Sequence, residues 1–454
     1  MASIAIPADA EPTTPGMERE LGGGAAPTAR RIAAMDVVRG VALFGILLMN
    51  ITGMGMPFSV ANNAAGESGA DLWAWIVINF GFEGTQRGLF SLLFGAGVIL
   101  FTSRLEAAGR ADAADIYFRR NLWLVAFGCV NSFFLLWIGD ILFYYGVTAL
   151  FLYVFRKLPP KKLLAIGVGV LVLGSAWSAA ETATTLALHR DYQAATSAKA
   201  AGAKLDEEQK GAIEAWEGRV AEFRPTDAEL QERAQKSRSG YASAFLHRGA
   251  INLEAQSWML YRYFADIFGM MIIGMALFKL GVLTLERPAR FYVAMTLAGY
   301  GVGLAVNAAE VQWIMAHDFS LLATSQANMT YDVGRLPTTL GHLGLLLLFV
   351  RSGLLPWLRD ALAAVGRMAF TNYIVHSVVA LVIFVLLGQF GRLARHELYY
   401  IVFAVWAVQL VYSPLWLRHY RFGPLEWLWR YLTYGKRPPF RRTEAGAPQA
   451  AEAA

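Results

Sequence analysis

The sequence predicts an all-α fold, a polytopic integral-membrane helical bundle of about ten transmembrane helices with both termini cytoplasmic. Of the 454 residues, 56% are hydrophobic and 16% are charged. In soluble proteins, roughly a quarter of the residues are charged. Apolar runs of roughly 17–25 residues, the length that a bilayer requires, recur along the chain. The 43 Gly, 13 Trp and 18 Tyr residues suit close helix packing and aromatic anchoring at a membrane interface.

Composition also excludes several functional classes. The net charge of +6 is small and scattered, so we expect no nucleic-acid partner. Cys129 is the single cysteine, which rules out an intramolecular disulfide and a Cys-based zinc or iron–sulfur site, and we expect no metal. The sequence contains no Walker loop, HExxH zinc pattern or serine-nucleophile elbow.

The chain divides into two hydrophobic halves between polar segments. We predict a disordered cytoplasmic tail over residues 1–29, a first transmembrane half over 30–188, an extracytoplasmic helical insertion over 189–255, a second transmembrane half over 256–440 and a second tail over 441–454. The ten predicted spans cover approximately residues 37–57, 85–103, 121–138, 141–155, 163–187, 257–282, 291–315, 333–350, 368–390 and 399–417, and a shorter helix over 70–83 leads into the second span.

The distribution of basic residues predicts the orientation. Ten of the 40 Lys and Arg residues lie in the insertion, and 25 of the remaining 30 fall on the side that carries the N-terminus. Basic loops face the cytoplasm, so both termini are expected there. The insertion is expected to contain two or three helices broken near Pro225 and Gly240, and to act either as a lid over a site or as a solvated insertion without a chemical role.

Polar side chains at membrane depth are informative because hydrocarbon penalises them unless they are paired or line a cavity. In the first span, Arg39 and Asn50 share a helix face and Asp36 lies close to it. These residues either form a polar stripe along a cavity or consist of a boundary Asp36–Arg39 pair and an Asn50 that bonds a neighbouring helix.

Glu83 and Arg87 are four residues apart at the start of the second span, with Gly84 and Gly88 beside them. We expect a charge-assisted pair near the outer mouth, which would orient an acceptor or serve as a structural clamp. Asp140 lies in a tight hairpin and is expected either to cap the following helix or to act as a base or orienting carboxylate.

Two histidines, His342 and His376, lie within predicted spans. His376 is either a proton-transfer group or a buried imidazole bonded to a neighbour such as Asn372. Gly299, Gly301 and Gly303 also lie in a span and are expected to let helices approach closely. After the last span, Lys436 belongs to a cationic and aromatic segment that predicts an interfacial helix or a platform for a phosphorylated ligand.

These segments together resemble the YeiB family of bacterial inner-membrane proteins, a domain of unknown function. The resemblance runs from about Arg31 to Arg437 and rests on "DVVRGVALFGILLMN", "LFSLLFGAG", "LWIGDIL", "GRMAFTNYIVHS" and above all "FGPLEWLWRYLTYGK". The opening motif is similar to that of heparan-alpha-glucosaminide N-acetyltransferase and related transmembrane acyltransferases. Asn50 matches the Asn that closes that motif, and His376 matches a His in a late helix of the acetyltransferase.

The resemblance implies an acyl-CoA pocket that opens to the cytoplasm and acyl delivery toward an extracytoplasmic acceptor. One departure stands out, because residues 51–70 lack the His that follows the matching Asn in the acetyltransferase. A further difference is Asn131, where YeiB-like sequences often place a His. His376, Asp140 and Glu83 are then the candidate bases.

The leading hypothesis is an integral-membrane acyltransferase that uses acyl-CoA (acetyl-CoA) as donor and a hydroxyl or amine on a small molecule, sugar or lipid as acceptor. His376, Asn50, Asp140 and Glu83 are the predicted catalytic residues. The predicted donor-binding residues are Asp36, Arg39, Arg87, Asn372 and Lys436. The alternative hypothesis is a transporter of a small organic solute, which lacks support from an inverted repeat. The lipid bilayer is the expected environment, and homo-oligomerisation is left open.

Overall fold

The computed structural model describes residues 25–257 and 260–442, and this part of the chain is built of helices without β-strands. The first half contains α1 (Ala25–Gly55), α2 (Gly69–Gly81), α3 (Thr85–Ala107), α4 (Ala113–Cys129), α5 (Leu142–Leu152) and α6 (Pro160–Ala200). A π-helix, Val130–Phe134, extends α4 toward the α4–α5 hairpin. The predicted tails, 1–29 and 441–454, lie for the most part outside the described residues.

The insertion and the second half follow in order. They contain α7 (Glu207–Phe223), α8 (Asp227–Arg238), α9 (Tyr241–Gln256), α10 (Leu260–Lys279), α11 (Ala289–Ala316), α12 (Leu321–Ala327), α13 (Tyr331–Ser352), α14 (Pro356–Arg367), α15 (Ala369–Ala380), α16 (Arg395–His419) and α17 (Pro424–Tyr434). The helix breaks predicted near Pro225 and Gly240 are confirmed, because α7, α8 and α9 are separated there.

The described residues include seven helical stretches that are long and apolar enough to cross a membrane, as in a helical membrane protein. They are Ala33–Gly55, Gly69–Ala107, Pro160–Ala200, Ala289–Ala316, Tyr331–Ser352, Ala369–Leu386 and Arg395–His419. Helices also lie at the other three predicted spans. Of these, α4 has 17 residues and α5 has 11, and α10 carries Asp266 and Lys279.

Two helices form the centre of the bundle. α1 packs against α3, α14, α15 and α16, and α10 packs against α3, α5 and α6. Met270, Met271 and Ile272 of α10 are completely buried, as are Ala42 and Leu43 of α1. The core therefore surrounds α1 and α10, and the outer helices present apolar faces outward.

The glycines of α11 explain its close packing against α13. Gly299 and Gly303 lie one turn apart on the buried face, and a Cβ atom at Gly299 would lie 2.6 Å from the backbone nitrogen of Gly341. Gly301 is exposed, with no atom within 4 Å of its Cβ position. The prediction of close helix approach is thus confirmed at Gly299 and Gly303, because residues four apart share a helix face and a residue between them does not.

We expect Gly299→Ala to destabilise the protein, because the added methyl group collides with the backbone of α13 rather than with a flexible side chain. Overpacking of this kind costs about 1–3 kcal/mol. Thermal unfolding in detergent measures the change, and Gly301→Ala is the matched control. Equal melting temperatures for the two variants would contradict the close approach of α11 to α13.

Candidate functional site

A cavity of about 590 Å³ lies at the end of the bundle where α1 terminates. It is bordered by α1, α3, the α4–α5 hairpin, α8, α9 and α10. Its charged, imidazole and amide side chains are Asn50, Asn62, Glu83, Gln86, Arg87, Asp140, Arg233, His247, Arg248 and Glu254. The fold therefore gathers four of the residues selected from the sequence, Asn50, Glu83, Arg87 and Asp140, around one space. Asn50 lines this space and Asp36 and Arg39 do not, so the polar stripe predicted along α1 is wrong for those two residues.

The predicted Glu83–Arg87 pair is wrong. Gly84 adopts a left-handed conformation, with φ of 67°, at the junction between α2 and α3. Glu83 therefore precedes α3 instead of lying one turn before Arg87 on the same helix. The Arg87 guanidinium pairs with Asp266, with 2.9 Å between Nη2 and Oδ2, and Glu83 accepts a hydrogen bond of 3.5 Å from the Tyr331 hydroxyl.

Arg87 belongs to a buried ionic network behind the cavity. Asp266 of α10 also pairs with Arg335 of α13, which is only 1% exposed, and Arg335 pairs with Asp332. Ser175 of α6 donates a hydrogen bond of 2.8 Å to Asp332. The network joins α3, α6, α10 and α13. Asp266, Asp332 and Arg335 escaped the sequence analysis, although each is an ionisable residue within or at the edge of an apolar segment.

Asp140 combines capping with a position on the cavity wall. One carboxylate oxygen accepts a hydrogen bond of 2.8 Å from the Phe143 backbone N–H in the first turn of α5, which confirms the capping interpretation. The other accepts from Asn131 Nδ2 at 2.7 Å and from the Tyr373 hydroxyl at 3.3 Å. Burial raises the pKa of Asp140 to about 6. These hydrogen bonds hold the α4–α5 hairpin against α15.

The last helix of the insertion, α9, forms one wall of the cavity. Asn252 donates to the backbone oxygen of Ser132, and Gln256 donates to the Ser132 hydroxyl at 2.8 Å. The Tyr144 hydroxyl of α5 donates to the backbone oxygen of Ala255. Buried polar contacts therefore fix α9 to the α4–α5 hairpin.

His247 and Arg248 enter the cavity from α9 and were not selected from the sequence. His247 is half-buried, and burial together with the neighbouring cations Lys236, Arg248 and Arg233 lowers its pKa, while Glu232 raises it. The imidazole is consequently neutral at neutral pH, the form that accepts a proton. The available sequence signal was the lower charge of residues 241–256 within an otherwise highly charged insertion.

His376 lies outside the residues that line the cavity. It is 1% exposed, and its Nε2 atom lies 3.2 Å from Gln409 Oε1 of α16 rather than bonding Asn372. Its Nδ1 atom has no hydrogen-bond partner among the described residues. His376 is connected to the cavity indirectly. Tyr373, one turn earlier on α15, donates a hydrogen bond to Asp140, which lines the cavity.

The remaining predicted residues lie away from the cavity. Asp36 and Arg39 form the boundary pair, with 2.6 Å between Oδ1 and Nη1, seven or more residues before the part of α1 that borders the cavity. Asn372 is buried and donates to Val365 and Ser413 at 3.2 Å. Lys436 is exposed after α17. The structure thus separates the predicted set into a cavity group and a group near the start of α1.

The second predicted histidine, His342, has a structural environment. Its Nδ1 atom lies 2.9 Å from the Tyr300 hydroxyl, and its Nε2 atom lies 2.7 Å from the backbone oxygen of Gly81. Both ring nitrogens are occupied, so His342 links α13 to α11 and to the end of α2.

Near the start of α1, α17 supports the N-terminal end of α15. Glu426 accepts hydrogen bonds from the backbone N–H groups of Phe370 at 2.7 Å and Thr371 at 3.0 Å. Trp429 donates to the backbone oxygen of Arg120 at 2.8 Å. The Arg120 guanidinium carbon lies 3.6 Å from the centre of the Trp429 ring. The C-terminal segment is therefore a docked helix that positions α15 and Arg120.

Comparisons with known proteins identify relatives that match about nine-tenths of the chain. The family model "Protein of unknown function (DUF418)" matches residues 277–436. The chain is 31% identical over 422 residues to "Uncharacterized protein YeiB" of Escherichia coli strain K12, covering 89% of this chain and 96% of the relative. It is 30% identical over 423 residues to "Uncharacterized protein YxaH" of Bacillus subtilis strain 168, covering 90% and 95%. No solved structure matches.

We expect Asp266→Asn to be strongly destabilising, because it leaves Arg87 and the buried Arg335 without a shared counter-ion. Breaking a buried pair costs about 3–5 kcal/mol. The melting temperature in detergent measures this loss. Asp112→Asn is the control, because it removes a carboxylate from an exposed pair with Arg110 and should leave the melting temperature unchanged. Equal effects of the two substitutions would show that the buried network does not stabilise the bundle.

Proposed function

Because this chain belongs to the YeiB family, we propose its function from the geometry of its cavity: it is an integral-membrane acyltransferase that moves an acyl group from cytoplasmic acyl-CoA to an extracytoplasmic or membrane-embedded hydroxyl or amine. The observation that carries the proposal is the joint presence of His247, Asn50 and Asp140 in one cavity. Acyl transfer needs a proton acceptor and hydrogen-bond donors for the developing oxyanion in one place.

The proposed topology has ten spans and both termini cytoplasmic, in the bacterial inner membrane. The cavity then opens on the extracytoplasmic side together with the insertion, and Arg39 lies on the cytoplasmic side. This arrangement is supported by the excess of Lys and Arg in the loops on the N-terminal side.

In the proposed reaction His247 replaces His376 as the base, because His247 lines the cavity and His376 does not. The imidazole takes the proton of the acceptor O–H or N–H while the acceptor's lone pair attacks the thioester carbonyl carbon. The Asn50 side-chain amide donates to the carbonyl oxygen as it gains charge. The C–S bond then breaks, and the CoA thiolate recovers the proton from His247. Asp140 keeps the hairpin wall in position through Asn131 and Phe143.

Residues near the start of α1 suit the phosphates of the donor. Arg39 and Arg430 both lie close enough to Arg120 to act on it electrostatically. Within the described ranges, Arg120 and Arg430 form no ion pair with a carboxylate, so their charges are available to an anion. Ala42, Leu43 and Leu47 are buried between this region and the cavity. Delivery of the thioester therefore requires α1 and its neighbours to separate.

The same closed core favours a second candidate, transport of a small organic solute. A cavity that opens at one end while packed side chains close the other is what one state of a transporter would have. Uptake of a labelled solute by proteoliposomes without release of CoA would support transport.

We expect acetyl-CoA or a longer acyl-CoA to raise the melting temperature of the purified protein in detergent. A ligand at one hundred times its dissociation constant stabilises a protein by about 2.7 kcal/mol, which is readily measured. Arg39→Gln should weaken this shift, and Lys162→Gln, which removes an exposed cation at the start of α6, should not. The donor assignment fails if no acyl-CoA changes the melting temperature.

We also expect His247→Gln to lower the rate of CoA release about 100-fold or more, in the range for loss of a general base. Glucosamine and glycerol serve as amine and hydroxyl probes. Because the pKa of His247 is held below 6.5, the wild-type rate should be constant above that pH and fall as the imidazole is protonated at lower pH. Protonation of Asp140 near pH 6 would add to this fall.

The pH profile of His247→Gln separates the two groups. The variant should lose the imidazole-dependent part of the profile, and His317→Gln, at an exposed histidine, should retain the full rate and profile. An unchanged rate in His247→Gln would exclude His247 as the base.

A further inference from the structure

Arg248 is a buried cation in the wall of the cavity. Only 6% of the residue is exposed, and its Nη1 atom donates to the backbone oxygen of Leu136 at 3.2 Å. The guanidinium carbon lies 4.7 Å from the centre of the Phe390 ring, which also borders the cavity. Within the part of the chain that the structure describes, one hydrogen bond and one ring contact leave most of the five N–H donors of the guanidinium unused.

Arg248 differs from the other fully buried arginines among the described residues. Arg335 is paired with Asp266 and Asp332, and Arg395 is paired with Glu67. No carboxylate in the described ranges forms an ion pair with Arg248, and burial is the one influence that acts on its pKa. A buried charge is costly unless it is paired. An unpaired guanidinium that faces a cavity is therefore matched by an anion from outside the chain.

The acidic groups around the cavity do not supply that anion. Asp140 already accepts hydrogen bonds from Asn131, Tyr373 and the Phe143 backbone N–H. Glu83 accepts from Tyr331. Glu254 lines the cavity from α9 but is exposed, and it forms no ion pair with Arg248.

A second cation stands at the rim on the same side. Arg233 of α8 is exposed and lines the cavity together with His247 and Arg248. It acts electrostatically on His247, as Arg248 does. The wall formed by α8 and α9 therefore carries two guanidinium groups, and both act electrostatically on the His247 imidazole.

We propose that the acceptor carries a phosphate group, which binds between Arg248 and Arg233 and brings the acceptor's hydroxyl or amine to His247. This inference rests on the proposed function and names the acceptor class for the same cavity. A guanidinium group binds two phosphate oxygens through paired N–H donors. The ammonium of a lysine is a point charge and does not offer this paired geometry. The phosphate belongs either to a lipid headgroup or to a soluble phosphate monoester.

Binding to the full-length protein in detergent, without acyl-CoA, tests this inference. The probes are glycerol 3-phosphate, a soluble monoester, and a short-chain phosphatidylglycerol added to the micelles, and the readout is the melting temperature across a titration. We expect saturable stabilisation by one of them, and the probe that acts identifies the source. Glycerol and a short-chain phosphatidylcholine are the reference compounds.

Arg248→Gln should weaken the affinity for the active probe about tenfold or more, as expected for loss of a charged hydrogen-bond donor. Arg233→Gln should weaken it less, because Arg233 is exposed, and Lys210→Gln, at an exposed cation of α7, should leave it unchanged. If Arg248→Gln does not fold, Arg248→Lys and Arg233→Gln decide the question, because each should still reduce the affinity.

The inference is overturned if neither probe stabilises the wild-type protein, or if both arginine positions can be changed without loss of affinity. CoA release is measured separately with glycerol 3-phosphate, which carries both a phosphate and hydroxyl groups, and with glucosamine and glycerol. Stabilisation by a phosphate probe without any CoA release would refute the acyltransferase and keep the anion site. CoA release without phosphate binding would support the acyltransferase and refute the phosphate site.

Discussion

The bundle depends on one shared carboxylate, Asp266, which neutralises two guanidinium groups from different helices. Arg87 and Arg335 are held within a largely apolar core, where a charge is tolerated only with a counter-ion. Because Asp266 belongs to α10, at the centre of the bundle, the pairing sets how α3 and α13 lie against that helix. The cavity inherits this geometry, since Arg87 forms part of its wall. The ion pairs of Arg87 therefore fix part of the cavity wall, which suits the positioning of a substrate.

Much of the fold follows from hydropathy, since each predicted span coincides with a helix. The cavity residues Asn50 and Asp140 could be selected because polar groups are conspicuous in apolar segments. The true partner of Arg87 could not, because Asp266 is 179 residues away and helix periodicity predicts only neighbours on one helix. In addition, the left-handed Gly84 interrupts the helix between Glu83 and Arg87, so the four-residue spacing that predicted their pairing does not apply.

The insertion shows a different limit of sequence reasoning. His247 and Arg248 sit in a segment with ten basic and eleven acidic residues, where a charged side chain normally indicates a solvated surface. Burial of Arg248 arises from tertiary packing of α9 on the α4–α5 hairpin, and no local pattern encodes it. Conversely, His376 was conspicuous as a polar residue in an apolar span. Its imidazole is nevertheless enclosed by neighbouring side chains, including Gln409, and does not line the cavity. Conspicuous polarity identifies buried groups, and only the fold shows which of them meet a ligand.

The docking of α9 has a consequence for the order in which the protein is assembled. Ser132 receives its hydrogen bond from Asn252, 120 residues later in the chain, and the Leu136 carbonyl receives one from Arg248 across 112 residues. During synthesis the α4–α5 hairpin therefore exists well before its polar partners. On the proposed topology those partners must first cross the membrane. On that topology the cavity is completed late in biogenesis, when the translocated insertion folds back onto helices already in the bilayer.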